Sequence, residues 1–384
     1  MLKLFLCLGK IIYFMWKYNN PVNIIFGEQK INQIHKIIDK KKYILITSNF
    51  IYREYLTDIV NSINPPKLIY SKIKPNPDYV DLISLMDFFS KTNFYEIDFI
   101  LAIGGGSVMD SAKVIAAFKN NKKHLTDFVK KNKPPIINDA LDLITVPTTS
   151  GSSSELTCWA TIWDKESSKK FSLSHSKLYP KTAIIDPTLL INKTRELTIS
   201  TGLDALSHSM ESIWNINANP ISSYHAIEGA RLVLENLPKL VDDLNNMQLR
   251  TNLALACIHA GLAFSNTKTA ISHNISYPMT LEYGIQHGIA CSFSLPYIMR
   301  SMKGVDKIAE KRLEKIFNNN LDVSSVLLLE KLRSLNVPLN LNELKITKQN
   351  WDQIIFKSFE GERGKNFLGN KSAFDQACSE MKVF

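Results

Sequence analysis

The sequence predicts two unlike halves, an α/β domain built on a mostly parallel sheet followed by an all-α domain. Three observations predict it. Up to about Pro187, short runs rich in Val, Ile and Leu alternate with helical stretches, the pattern of strands linked by helical crossovers. One of these runs, Asp98 to Ile103, is almost continuously apolar, as suits a strand buried on both faces, and it stops at three glycines. Beyond Asp186-Pro187 the segments lengthen and their apolar residues recur at helical spacing. The expected boundaries are an N-terminal extension at 1–15, the α/β domain at 16–187 and the helical domain at 188–384.

Taken in order, Met1 to Lys17 carries an apolar run broken by Lys10, without a small-residue cleavage site. It is too short and interrupted to span a bilayer, so it reads as an extension before a domain start at Met15 or Trp16. Strands are expected at Val22 to Phe26, Tyr43 to Thr47, Lys67 to Ser71, Asp98 to Ile103 and Leu141 to Val146. Helices at Gln29 to Asp39, Arg53 to Ile63 and Tyr79 to Thr92 alternate with them. The second half reads as helices at Thr201 to Trp214, Pro220 to Asn236, Asn246 to Asn266, Thr269 to Tyr277 and Ile289 to Met302. Shorter helices fill Ser324 to Phe384, punctuated by Pro338 and by the glycines at 361 and 364.

With 384 residues the chain exceeds one comfortable core, and 45% hydrophobic with 21% charged residues excludes a disordered or fibrous protein. The net charge of +10 invites a nucleic-acid partner. Its lysines, as in Lys40-Lys41-Lys42 or between Lys119 and Lys133, are not interleaved with the aromatic residues that base stacking needs. Neither a nucleic acid nor a membrane is therefore expected as partner, and the lysine excess serves at most to steer an anionic substrate. Five scattered cysteines without a Cys-x-x-Cys pattern imply no disulfide framework and a cytoplasmic location.

Two loops and one cluster carry the chemistry. After the strand ending at Ile103, Gly104-Gly105-Gly106-Ser107 opens a helix, which lets the backbone approach a pyrophosphate at a helix N-terminus. It is not the G-x-G-x-x-G fingerprint, and tight packing alone is the competing explanation. Pro147-Thr148-Thr149-Ser150-Gly151-Ser152 is a second, hydroxyl-rich loop at a strand's carboxyl end, where open α/β sheets bind ligands. Asp204 and His208 are four apart on an expected helix and leave one face. A turn at Tyr283-Gly284-Ile285 brings His287 back beside His273. One carboxylate and three imidazoles suit a first-row divalent ion. Four unrelated hydrogen-bonded polar residues would show the same spacing, and spacing alone does not choose.

Taken together, Gly104-Gly105-Gly106-Ser107-x-x-Asp110, Pro147-Thr148-Thr149-x-Gly151-x-x-x-Glu155, Asp186-Pro187, Gly202-Leu203-Asp204-Ala205-x-x-His208, His273 and His287 resemble the iron-containing alcohol dehydrogenase family. The resemblance runs from about Tyr18 to the C-terminus. It implies a dinucleotide-binding α/β domain, a metal-binding helical domain, and a homodimer. Asp204, His208, His273 and His287 are then the ligands of Fe(II) or another divalent metal such as Zn, Mn or Co. Gly104, Gly105, Gly106, Ser107, Asp110, Thr148, Thr149 and Ser152 become contacts of NADH or NADPH, and Lys170 lies near the nicotinamide ribose.

Asn266 to Pro278, the segment through Gly288, and Gly361-Glu362-Arg363-Gly364 resemble the phosphonoacetaldehyde reductase branch. That implies reduction of an aldehyde to a primary alcohol, with Lys268 and Arg363 holding a phosphonate. Two departures matter. Tyr277 stands where many members have a second histidine, so a tyrosine, another hydroxyl or water must carry the proton. Ser48 stands where the family often has an aspartate facing the adenosine ribose, so NADPH is no longer excluded. The alternatives are a broad alcohol dehydrogenase, a dehydroquinate-synthase-like lyase and a non-catalytic binding protein.

Overall fold

The computed structural model of the protein describes residues 15–51, 64–167 and 169–384. Most of the expected extension and the expected helix Arg53 to Ile63 lie outside the described residues. Among the described residues the α/β half holds eight strands, β1 (Asn23–Phe26), β2 (Tyr43–Thr47), β3 (Leu68–Tyr70), β4 (Phe99–Gly104), β5 (Asp142–Pro147), β6 (Trp159–Asp164), β7 (Lys169–Ser174) and β8 (Thr182–Ile185). Six form one sheet in the order β1-β8-β5-β4-β2-β3, parallel throughout.

The pattern of burial explains the order. Every residue of β2 and β4 is buried, which is what their unbroken apolar sequences require at the middle of a parallel sheet. The edge strands β1 and β3 are half-exposed. The register sets Gly104 beside Pro147, so the glycine turn and the hydroxyl-rich loop leave the same sheet edge side by side. Thr148 N donates to Gly104 O at 3.0 Å and ties the loops together.

The antiparallel hairpin β6-β7 and the strand β8 go beyond the sequence expectation. The alternation of Lys169, Lys170, Phe171, Ser172, Leu173 and Ser174 buries only Leu173 fully, a signal too polar to stand out from loop. A helix also occupies Lys122–Lys131 within the lysine cluster, its N-terminus capped by the Asn121 side chain.

The helical half begins at Arg195–Glu211, earlier than expected because Thr194 caps it by accepting from Leu197 N. Helices Pro220–Asp242 and Met247–Thr267 pack against it around Leu203, Leu206, Trp214 and Leu237. The single helix expected over Ile289 to Met302 is two, His287–Phe293 and Leu295–Ser301. Pro296, lacking an N–H, is accommodated in the first turn of the second. A smaller cluster joins Val22, Leu156, Ala183, Ile185 and Leu190 of the sheet side to Ala254 and Ile258 of the helical side. Among the described residues, no helix is long and apolar enough to cross a membrane.

Candidate metal centre and cofactor cleft

Helix Arg195–Glu211 carries Asp204, His208 and Glu211 at spacings of four and three, so all three side chains leave one face. Glu211 is fully buried and works on a second helix, Ile271–Tyr283. Its Oε1 accepts from the backbone N–H of Ser272 at 2.6 Å and of His273 at 3.1 Å, satisfying two orphan donors of that helix's first turn. Its Oε2 pairs with His273 Nδ1 at 2.6 Å. A carboxylate there fixes the orientation of the ring and sets Nε2 toward Asp204 Oδ1, 3.4 Å away.

The second helix ends at Gly284, which adopts a left-handed conformation at φ 67°, and the next helix opens with His287. Gly288 permits this return. A Cβ on it would fall 1.7 Å from Ser200 O on helix Arg195–Glu211, so only glycine allows the two helices to cross closely enough. His287 Nε2 comes within 3.9 Å of Asp204 Oδ1, and His208 Nε2 within 3.8 Å.

Donor atoms of Asp204, His273 and His287 fall within 4.8 Å of one another, together with Cys291 Sγ, in a group that does not include His208. Ligand atoms ~2.1 Å from one tetrahedral centre lie roughly 3.4 Å apart. Asp204 Oδ1 and His273 Nε2 are buried without a hydrogen-bond partner, the condition of donors that await a cation. Burial raises the Asp204 pKa, but His208, His273 and His287 outweigh it and hold the carboxyl well below its usual range. Burial pushes His208 down to about 4. Burial, with Lys170 and the other two imidazoles, pushes His287 down to about 3. Burial opposes charge on His273 too, but Cys291 and Glu211 raise it well above its ordinary value.

The sheet side supplies the other wall of the same cavity, whose volume is about 1000 Å³. Gly105, Gly106 and Ser107 line it at the start of helix Gly106–Phe118, opposite Thr148, Thr149 and Ser152. A Cβ on Gly106 would sit 2.5 Å from Ser152 Oγ, so glycine is what lets the two loops close on each other. Gly104 is buried at the end of β4 and is not among the lining residues, so its part is to join the loops through its carbonyl. Asp110 borders the cavity, yet its carboxylate is engaged by Ser154 Oγ at 2.7 Å and Thr161 N at 2.9 Å. It fastens the hydroxyl-rich loop to β6. Buried Lys113 reinforces it, donating to Ser154 O at 2.7 Å and Trp159 O at 2.9 Å. Beside them burial lifts the Glu155 carboxyl to about 7. Ser48 lines the cavity with Phe50 and Ile51 after β2.

Tyr277 joins the two walls. It lies one turn after His273, its ring runs parallel to that of His287 at 6.3 Å, and its hydroxyl is buried without a partner. Lys170 Nζ stands 4.1 Å from the ring centre, presented by the hairpin residue paired with Trp163. The Arg363 guanidinium stands 5.1 Å from the same centre, its Nε donating to Thr269 Oγ1 at 2.8 Å. Lys268 lines the cavity from the end of helix Met247–Thr267, where its own φ is 64°. Among the described residues, the carboxylates lining the cavity are Asp110, already engaged by Ser154 and Thr161, Asp204 and Glu362.

Two residues of this centre escaped the sequence reading. Glu211 had a signal, the Asp-x-x-x-His-x-x-Glu spacing that places it on the ligand face. Cys291 had one as well, four residues after His287 on the same helix.

Comparison with known proteins agrees with the geometry. Residues 21–187 match the family model Iron-containing alcohol dehydrogenase, and 198–373 match the C-terminal model of the Fe-containing alcohol dehydrogenase family. An NAD-dependent methanol dehydrogenase of Bacillus methanolicus is 32% identical over 68% of this chain and 69% of its own. A phosphonoacetaldehyde reductase of Streptomyces viridochromogenes is 32% identical over 64% of this chain and 62% of its own. The crystal structure of sulfoacetaldehyde reductase from Bifidobacterium kashiwanohense with NAD+ superposes with a TM-score of 0.87 at 27% identity, covering 96% of this chain and 98% of that one.

Proposed function

The chain belongs to the iron-containing alcohol dehydrogenase family, metal-dependent NAD-linked oxidoreductases of alcohols and aldehydes, and we propose that its substrate is a small anionic aldehyde, phosphonoacetaldehyde foremost, reduced to 2-hydroxyethylphosphonate. The observation that carries the reading is that Lys268 and Arg363 both line the cavity that holds Tyr277 and His287, the Arg363 guanidinium 5.1 Å from the Tyr277 ring centre. A neutral substrate needs no such cations. A phosphonate or sulfonate does, and a guanidinium matches its oxygens two at a time. The names of two relatives, a phosphonoacetaldehyde reductase and a sulfoacetaldehyde reductase, point to the same chemistry.

In this reading Asp204, His208, His273 and His287 hold a divalent ion such as Fe(II), which supplies Lewis acidity to a carbonyl oxygen when bound. The glycine turn and Thr148-Thr149 seat the pyrophosphate of NADH or NADPH, which supplies the hydride. Arg363 and Lys268 orient the anionic tail and fix the carbonyl between these groups. The Tyr277 hydroxyl, buried and without a partner, gives its proton to the product oxygen in place of an imidazole.

The test is a panel of phosphonoacetaldehyde, sulfoacetaldehyde and a neutral aldehyde of similar length, with Fe(II) and either NADH or NADPH. We expect Arg363→Ala and Lys268→Ala to raise KM for the anionic aldehydes roughly tenfold or more, the loss of ~1.4 kcal/mol or more, and to leave the neutral aldehyde nearly unaffected. Equal effects on all three would instead support a broad alcohol dehydrogenase, the reading that the methanol dehydrogenase relative favours.

A further inference from the structure

Cys291 is fully buried four residues after His287, so helix His287–Phe293 presents imidazole and thiol on one face, as Asp204 and His208 are presented elsewhere. Its Sγ lies 3.7 Å from His287 Nε2. Donor atoms of Asp204, His273, His287 and Cys291 all fall within 4.8 Å of one another. For a tetrahedral ion with bonds of ~2.3 Å to sulfur and ~2.05 Å to nitrogen, those two ligands stand about 3.6 Å apart. The thiol is thus within reach of such a position, but Sγ also stands 3.8 Å from His287 Nδ1, so ligation needs the thiol and the imidazole to turn relative to each other. A buried cysteine is ordinarily a small apolar filler. Here Asp204 Oδ1 and His273 Nε2, both buried and unpartnered, compete with that explanation because they face the same few ångströms of space.

We propose that Cys291 is a fifth donor of this metal centre, exchanging with His208 for a place on the ion and selecting thiophilic cations such as Zn(II) and Co(II). The inference rests on the metal-centre reading given above. Two quartets share Asp204, His273 and His287. With His208 the set is three nitrogens and one oxygen, suited to Fe(II). With Cys291 it is two nitrogens, one oxygen and one sulfur, which a softer ion prefers. Binding through sulfur forms the metal–sulfur bond as the thiol S–H gives its proton to solvent. Thiolate and carboxylate together cancel the ion's double charge, so this form binds tightly and polarises a carbonyl weakly. The exchange would make the centre's activity depend on which metal it holds.

The experiment is titration of metal-free enzyme with Co(II), followed by absorption. Wild type is expected to develop both the visible bands of a tetrahedral cobalt site and a near-ultraviolet thiolate-to-cobalt charge-transfer band. Cys291→Ser should keep the visible bands and lose the charge-transfer band. Identical spectra for the two proteins overturn the role of Cys291 while leaving the metal centre standing. Failure of wild type to take up Co(II) overturns both. X-ray absorption of the Zn(II)-loaded wild type needs no variant. A sulfur neighbour at about 2.3 Å supports the proposal, and a shell of nitrogen and oxygen alone refutes it.

Discussion

The glycine turn at 105–107 and the donors around Asp204 face one cavity, but they are built by opposite means. The first is backbone, delivered by strands buried on both faces, and its two loops approach closely because Gly106 has no Cβ to meet Ser152. The second is side chains from three helices, none of which forms the centre alone, brought together by a buried carboxylate and one close helix crossing at Gly288. A backbone site tolerates most side-chain changes around it. A side-chain site concentrates its function in a few atoms, so single substitutions there have the larger consequences.

That contrast orders the expected effects. Asp204→Ala or His273→Ala removes a donor at the shared corner of the cluster. Activity should fall by on the order of 10³-fold or more, since the Lewis acid supplies several kcal/mol. Metal content measured after gel filtration should fall with it, while circular dichroism stays that of the wild type. A metal-free variant with full turnover would end the proposed role of the donors.

Glu211→Gln comes next. It keeps the shape but weakens the hold on His273 Nδ1 and on the helix N-terminus. Metal affinity should drop about 10- to 100-fold, with much of kcat regained at saturating metal. An unchanged affinity would make Glu211 purely a helix cap.

On the sheet side, Ser48→Asp places a carboxylate at the end of β2. The ratio of kcat/KM for NADH over NADPH is expected to rise roughly tenfold, ~1.4 kcal/mol of discrimination. No change in that ratio would mean that Ser48 does not face the adenosine ribose.

The effect expected on stability and not on turnover lies beneath the hydroxyl-rich loop, at Glu155. Burial raises its folded pKa from an ordinary 4.5 to about 7. Between these values the native protein keeps a proton that the unfolded chain gives up. The stability it contributes is thus complete below pH 4.5 and lost as pH rises through 7, a change of roughly 3 kcal/mol at most. Glu155→Gln should flatten this part of the stability curve in denaturant titrations. Parallel wild-type and variant curves would place the source of any slope elsewhere.

How much of this was legible in the sequence depended on the range of the signal. The strands at Tyr43 and Asp98 announce themselves because a fully buried strand is apolar at every position. The hairpin carrying Lys170 did not, because its polar outer face breaks the pattern. The start of helix Arg195–Glu211 was misjudged by six residues, since the signal at Thr194 is a single capping hydroxyl. Asp204, His208, His273 and His287 were expected as donors because the order of the motifs resembled a family, which their spacing alone could not decide. Glu211 and Cys291 sat at equally regular spacings, but nothing in the sequence says that a glutamate orients a histidine ring sixty-two residues away.

What the sequence determined by itself was the class of the fold and the two loops at strand ends, because each is written in local periodicity, while the four candidate donors came from the family resemblance of the ordered motifs and not from their spacing. Tertiary structure alone decided that Gly104 joins the loops instead of lining the cavity, that Asp110 fastens a loop, and that Tyr277 is flanked by Lys170 and Arg363. The turn at Gly284 was expected to bring His287 back beside His273, but its 3.9 Å approach to Asp204 was not, because it depends on a missing Cβ at Gly288 meeting the Ser200 carbonyl. Such contacts join residues far apart in the chain, and their geometry is set by packing, which no local pattern records.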